Sequence, residues 1–357
     1  MAVELCRQCL WDAARLSYLA MPDPSQTLPN IELTSSVEAG LARVHQRLYQ
    51  AVGVEDQFAA AAARHLLDAG GKRFRPMLTV LCSHLGEGVN DQVVDAAAVV
   101  ELTHLASLYH DDVMDAAPLR RGALAAHEAY GATVAILTGD LLFAKASQIV
   151  AGLGPEAVLI QAQTFERLCL GQIYETNGPG QGDPVAHHMK VLADKTGALI
   201  ATSARFGAMM AGCPPELIKP LVGFGEAVGL AFQLTDDIID LTGPASKTGK
   251  TPGTDLREQV PTMPQLLVEQ AARQDMAAGR IDSESVALAK AFGQDLSDDA
   301  TLADVVARLQ RHPAMDQARA LAHQWAERAV EQLAPLPDGP VKEALVAIAD
   351  LFVERLA

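Results

Sequence analysis

Residues 91–115 read DQVVDAAAVVELTHLASLYHDDVMD. From Val93 onward the positions are mostly apolar or small, and the run closes on Asp111, Asp112 and Asp115. The apolar residues do not alternate and the stretch outlasts an ordinary strand, so the segment reads as a buried helix. Its end is the anomaly. Carboxylates this close repel, and one of a crowded pair resists ionisation unless a cation stands nearby; aspartate is also a poor residue for a helix interior. Residues 227–240, AVGLAFQLTDDIID, repeat the design, with Asp236, Asp237 and Asp240 at the same spacing behind an apolar run. One acidic helix end is ordinarily a solvated face. Two copies of one spacing, each closing an apolar helix, point to a shared task.

The rest of the chain has the same helical texture. Apolar residues recur at helical spacing in VEAGLARVHQRLYQAV (37–52), AVLIQAQTFERLCLGQIYE (157–175) and VKEALVAIADLFVERL (341–356). No convincing alternating strand stands out, and neither a strand followed by Gly-x-Gly-x-x-Gly nor a P-loop is present. The pattern predicts an all-α fold: one large helical bundle over residues 31–357, preceded by an extension or linker at 1–30 that ends in PDPSQTLPN. Breaks fall at 177–184, 213–215 and 242–264. The last is long for a compact domain and reads as a binding flap.

Bulk properties remove several function classes. A net charge of −16 over 357 residues argues against non-specific nucleic-acid binding, which needs a basic face. The odd count of 5 cysteines argues against a disulfide framework and fits a cytoplasmic setting. Cys6 and Cys9 form a lone C-x-x-C, without the further ligands a zinc site needs. No unbroken apolar run reaches the roughly 18 residues of a membrane span, and Glu4 and Arg7 spoil the start of the chain as a signal peptide.

On a helix, residues i and i+4 share a face, so Asp111 and Asp115 point together, as do Asp236 and Asp240. If the two helices pack side by side, six carboxylates face one space. Hard divalent cations, above all Mg²⁺, would neutralise them, and Mg²⁺ favours a few carboxylates shared with substrate phosphates. Cations follow in the sequence: Lys72, Arg73 and Arg75 in GGKRFRP (70–76), Arg120 and Arg121 in LRRG (119–122), Lys195 in DKTG (194–197), and Lys247 and Lys250 in the flap. Arginine grips phosphate bidentately and lysine acts as a point charge. Each motif alone is ordinary surface charge, and His104 alone is an ordinary core histidine. In this order they suggest two adjacent anion sites, one bridged by metal and one held by cations.

The motifs GGKRFRP, ELTHLASLYHDDVMD, LRRG, TGDLLFAKA (138–146), DKTG, FQLTDDIID and GKTPGTDL resemble those of the polyprenyl synthetase (trans-isoprenyl diphosphate synthase) family, in particular its actinobacterial long-chain members. The resemblance spans about residue 37 to the end. It implies an isoprenoid-synthase bundle with a deep central cavity, acting as a homodimer. It implies an allylic diphosphate chelated through Mg²⁺ by Asp111, Asp112, Asp115, Asp236, Asp237 and Asp240, and held by Arg120, Lys195, Thr196, Gln233 and Lys250. It implies isopentenyl diphosphate on Lys72, Arg75, His104 and Arg121, with Arg73 nearby. The activity implied is condensation of isopentenyl diphosphate onto an allylic primer to give a linear trans polyprenyl diphosphate, with Asp111, Asp112, Asp115, Asp236, Asp237 and Lys195 as the catalytic set. The chain departs from the family at Val260, where a lysine is usual, and in ALAAHEAYG after LRRG, which lacks the usual asparagine and tryptophan.

A growing product would run along the first acidic helix, whose turns of about 5.4 Å match one isoprene unit. The positions one and two turns before Asp111 are small: Ala106 and Ser107, then Thr103. Small residues there predict a long product, of at least four and more plausibly six to ten units. The alternatives are a geranylgeranyl or geranylfarnesyl diphosphate synthase, a terpene cyclase on the same fold, and a regulatory subunit. The intact Lys72, Arg75, His104 and Arg121 speak against a cyclase, and two complete acidic motifs speak against a regulatory subunit. A long apolar product implies transient membrane contact at release.

Overall fold

The computed structural model describes residues 30–243 and 251–356. The predicted extension, with Cys6 and Cys9, and the flap lysines Lys247 and Lys250 lie outside the described residues. The elements in chain order are α1 (Ile31–Val52), α2 (Gln57–Asp68), α3 (Phe74–Ser83), α4 (Asp91–Met114), β1 (Leu119–Arg120), β2 (Ala123–Leu124), α5 (Ala126–Tyr130), α6 (Ala132–Ala151), α7 (Pro155–Asn177) and α8 (Pro184–Leu192). A π-turn at Ala193–Gly197 joins α8 to α9 (Ala198–Met210). Then come α10 (Pro215–Thr242), α11 (Thr254–Arg257), α12 (Met263–Ala277), α13 (Glu284–Phe292), α14 (Asp299–Arg311), α15 (Pro313–Gln332) and α16 (Pro340–Glu354). The fold is all-α, as the periodicity predicts.

Helix α4 is apolar around its circumference, and such a helix belongs in a core. It packs against α1, α3, α6 and α9, with Val99, Val100, Leu102 and Leu105 fully buried. Asn90 caps it: Asn90 Oδ1 accepts from Val93 N at 2.9 Å, while Asn90 Nδ2 donates to the Met210 carbonyl at 2.9 Å and so ties the start of α4 to the end of α9. The second acidic helix, α10, packs against α9, α15 and α16. The two acidic helices are not each other's main neighbours; α9 packs against both and links them.

The one sheet among the described residues is a two-residue hairpin, too short to show as an alternating pattern. Arg120 pairs with Ala123, and the turn residues Arg121 (φ 52) and Gly122 (φ 78) both have positive φ, as a type I′ turn requires. The LRRG motif is therefore the tip of a hairpin just beyond the first acidic cluster.

Two helices, Ala132–Ala151 and Pro215–Thr242, are long and apolar enough to cross a membrane by length and composition. The sequence reading missed them because it required an unbroken apolar run. Both serve as bundle helices: α10 buries Leu221, Phe224, Val228 and Leu234, and α6 lies along α4.

Candidate active site

A cavity of about 540 Å³ opens where α4 ends against α6, α7, the π-turn and α10. Asp111 stands in its wall beside Lys195, Thr196, Gln233, Glu175 and Gln172. Burial pushes the Asp111 carboxyl up to about 6, and Asp115 and Glu175 add to this while Lys195 and Arg120 oppose it. Asp115 closes α4, its N–H donating to the Asp111 carbonyl at 2.8 Å. Asp112 turns the other way. It is fully buried, and its Oδ1 accepts from Arg120 Nε at 2.6 Å, so the hairpin reaches back to the acidic cluster. Burial nonetheless raises the Asp112 carboxyl, and its Oδ2 is buried without a hydrogen-bond partner.

His104, two helical turns before Asp111 on α4, and Arg75 line the same cavity. Burial lowers the Arg75 guanidinium to about 10, and its Nε has no partner. Burial, then Arg75, Arg121, Arg73 and Arg120, holds His104 well below the usual histidine range, so the ring is neutral near pH 7. Arg73 and Arg121 sit behind this pair. Arg73 bonds Glu101 Oε1 and donates to the Leu67 carbonyl at 3.1 Å. Arg121 donates to the Leu66 carbonyl at 3.1 Å and to the Gly70 carbonyl, and is only 7% exposed. A β-carbon at Gly71 would come within 2.8 Å of Arg121 Nη1, which gives the second glycine of GGKRFRP a physical purpose. Lys72 is half-buried and engaged within the protein.

Lys195 and Thr196 ride on the π-turn, a rare widening often found at functional sites. Lys195 Nζ donates to Glu175 Oε2 at 2.5 Å. The turn fits against α7 because Gly171 has no side chain; a β-carbon there would meet Lys195 N at 2.8 Å. Arg167, also on α7, clamps it: Nε donates to Asp194 Oδ1 at 2.8 Å, Nη1 to Glu226 Oε1 at 2.6 Å and Nη2 to the Ala193 carbonyl at 3.3 Å.

The second acidic motif has different surroundings. Asp237 is buried, and its Oδ2 accepts from Met263 N at 2.8 Å and lies 3.0 Å from His188 Nε2. The Asp240 carbonyl accepts from Gly253 N at 2.9 Å and its Oδ2 from Asp255 N at 3.3 Å. Gly253, Asp255 and Met263, all on the described return of the flap, are thus pinned to this motif. Asp236, half exposed, is 3.7 Å from Arg355 Nη2. Val260 lies on the flap's return, 39% exposed.

Of the chain-length positions, Ser107 lines the cavity, while Ala106 and Thr103 are fully buried in the core. Thr103 Oγ1 accepts from Gln161 Nε2 at 2.6 Å, so it is spent on packing. The facing wall is Phe143 and Phe165, with ring centroids 4.2 Å apart. Sequence reasoning missed these two, and also Glu101, Arg167, Gln172, Glu175 and His188. Glu101 left a signal: a lone acid inside an otherwise apolar helix, three residues before His104.

Among the described residues no three His, Cys, Asp or Glu side chains gather into a ready-made metal site. The donors still suit a divalent cation: burial makes the ionised Asp111 costly without a nearby positive charge, and Asp112 Oδ2 is buried without a partner. A hard cation that also takes phosphate oxygens fits such a sparse carboxylate set better than one caged by protein alone.

The Polyprenyl synthetase family model matches residues 56–309. The chain is 40% identical to the nonaprenyl diphosphate synthase of Mycobacterium tuberculosis, over 94% of this chain and 99% of that protein. It is 35% identical to heptaprenyl diphosphate synthase component 2 of Geobacillus stearothermophilus, over 87% and 93%. Among solved structures, geranylgeranyl pyrophosphate synthase from Corynebacterium glutamicum, complexed with calcium and isoprenyl diphosphate, superposes with a TM-score of 0.80 at 40% identity, covering 92% of this chain and 98% of that one.

Proposed function

The chain belongs to the polyprenyl synthetase family, and from that premise we propose that it transfers an allylic prenyl group from its diphosphate onto isopentenyl diphosphate, building a linear trans polyprenyl diphosphate of long chain. The observation that carries this is one cavity lined by two kinds of charge environment: Asp111 with Lys195, and Arg75 with His104.

The allylic diphosphate lies against Asp111, Asp115, Lys195, Thr196 and Gln233, with Asp236 and Asp240 completing the acidic set. These aspartates would hold a divalent cation, which would neutralise charge on the diphosphate, and Mg²⁺ suits them. Lys195 stabilises the leaving diphosphate as the allylic C–O bond breaks and the electron pair leaves with oxygen. Arg75 and a neutral His104 hold isopentenyl diphosphate so that its terminal double bond attacks the allylic carbon. The proton lost from the resulting cation passes to the released diphosphate. Phe143, Phe165 and Leu168 give the tail a dry wall, which guards the cation from water.

The product runs past Ser107 toward Phe143 and Phe165, and we read its length as six to ten units. The relatives above span nonaprenyl, heptaprenyl and geranylgeranyl names, so length is the quantity to measure. The exposed apolar side chains of α6 (Ile136, Leu137) and α7 (Val158, Leu159, Ile173) suit burial against a second copy of the chain. The test is incubation with labelled isopentenyl diphosphate, Mg²⁺ and geranyl, farnesyl or geranylgeranyl diphosphate, followed by sizing of the dephosphorylated products. A ladder of linear prenols supports the proposal. Cyclic hydrocarbons without label uptake, or no turnover with any primer, would overturn it, the second outcome favouring a chain that needs a partner subunit.

A further inference from the structure

Among the described residues, non-glycine positions with positive φ are Arg73, Ala116, Arg121 and Gln259. Such backbone persists only where its surroundings hold it. Two of these, Arg73 (φ 51) and Arg121 (φ 52), come from separate loops and converge on one carboxylate. Arg73 Nη1 bonds Glu101 Oε1, and Arg121 Nη2 lies 4.0 Å from the same oxygen. Arg75, two residues after Arg73, is buried near enough for Glu101 to favour its charge. Glu101 itself is 2% exposed in the middle of α4.

A buried carboxylate is costly unless paired, and so is each buried guanidinium. Here they compensate one another only in part. Three guanidiniums against one carboxylate leave an excess of two positive charges. That excess meets the cavity through Arg75, with the neutral His104 in the same lining. His104 follows Glu101 by three residues, so the two share a helix face. The site is therefore charged to receive an anion and fixed before the anion arrives.

We propose that Glu101 is the positioning residue of the isopentenyl diphosphate subsite, fixing the Arg73 guanidinium by a direct bond and drawing in that of Arg121, so that Arg75 and the neutral His104 present a fixed anion cradle. This rests on the assignment of isopentenyl diphosphate to that side of the cavity. Glu101 touches no substrate. Its effect belongs to acceptor binding and leaves the allylic side, around Asp111 and Lys195, unchanged.

The test compares full-length Glu101→Gln and Glu101→Asp with the wild type. It measures kcat and both KM values with farnesyl diphosphate as primer, and calorimetric binding of isopentenyl diphosphate without primer. The Gln variant is expected to raise the isopentenyl diphosphate KM by about 10- to 100-fold, the range for a lost charged hydrogen bond. The allylic KM should stay within about twofold, and the Asp variant should recover part of the loss because it keeps the charge. A folded Gln variant with unchanged isopentenyl diphosphate KM overturns the proposal, and so does an equal rise in both KM values. Should the Gln variant fail to fold, the Asp variant decides by the same KM ratio. Should the wild type turn over no primer, the proposed activity fails, and the calorimetric titration still judges Glu101: weaker binding in the variant supports its role, equal binding overturns it.

Discussion

The two acidic motifs share a spacing and little else. In the first, Asp111 faces the cavity and only Asp112 is drawn into the protein, by an arginine from the neighbouring hairpin. In the second, Asp237 is occupied by His188 and by the backbone of Met263, and Asp240 anchors Gly253 and Asp255. One motif ends its helix beside open space. The other holds the described return of the flap, through Gly253, Asp255 and Met263. A repeated sequence pattern therefore fixes where carboxylates can stand; what packs against them decides whether they meet a ligand or the chain itself.

The sharpest test of this contrast is Asp111→Asn against Asp237→Asn. The first should lower kcat by on the order of 10²–10³-fold, the effect of removing one preorganised electrostatic contact. The second should cost about 1–3 kcal/mol of stability by replacing the charged acceptor shared by Met263 N and His188 with a weaker neutral one, with the smaller loss of rate. Equal rate losses without any change in urea midpoint would erase the distinction. Next comes Arg120→Gln, which strands the buried Asp112 carboxylate. Breaking a buried pair costs about 3–5 kcal/mol, and because Arg120 is 30% exposed a smaller loss, about 2–3 kcal/mol in denaturant unfolding, is expected.

A third test uses pH. Asp111 is raised from 3.8 to about 6 in the folded chain. Between those values the native state keeps a proton that the unfolded state has lost, so metal-free stability falls as pH rises through this window and stays lower above it. Asp111→Asn should flatten that slope and raise the neutral-pH Tm by on the order of 2 °C. In the wild type, kcat/KM should climb through about pH 6, and more divalent cation should move that limb to lower pH. The smallest effect expected is on product length. Ser107→Phe should shorten the product by about one or two units, at roughly one helical turn per unit, and Phe165→Ala should lengthen it, both read by chromatography of the prenols. Ala106→Phe tests packing instead, since Ala106 is fully buried.

The helical class, both acidic motifs and the cationic motifs were legible because each is local: a period, a spacing, a run of charge. Arg75, His104, Lys195, Thr196, Gln233 and Ser107 were read from such patterns, and the structure brings them into one cavity wall with Asp111. What escaped depends on contacts between distant segments. Glu101 meets Arg73 across 28 positions and Arg167 meets Glu226 across 59, and no periodicity reports such a meeting. Phe143 and Phe165 escaped because a single aromatic on a helix looks like ordinary core. Arg73 and Arg121 were named as phosphate ligands by type; their guanidiniums are in fact largely committed to Glu101 and to backbone carbonyls.

The π-turn at Ala193–Gly197 has a consequence of phase. Its hydrogen bond from Ala198 N to the Ala193 carbonyl accommodates one residue more than an α-helix would. Helices α8 and α9 are therefore two frames of one helical run, out of step by about 100°, one residue's rotation. Deleting a single residue from this turn would restore an unbroken α-helix, and either Lys195 or the whole of α9 would have to rotate away from its present neighbours. For lineages that carry this segment, point substitution here is an adjustment, whereas a one-residue deletion is a frame error.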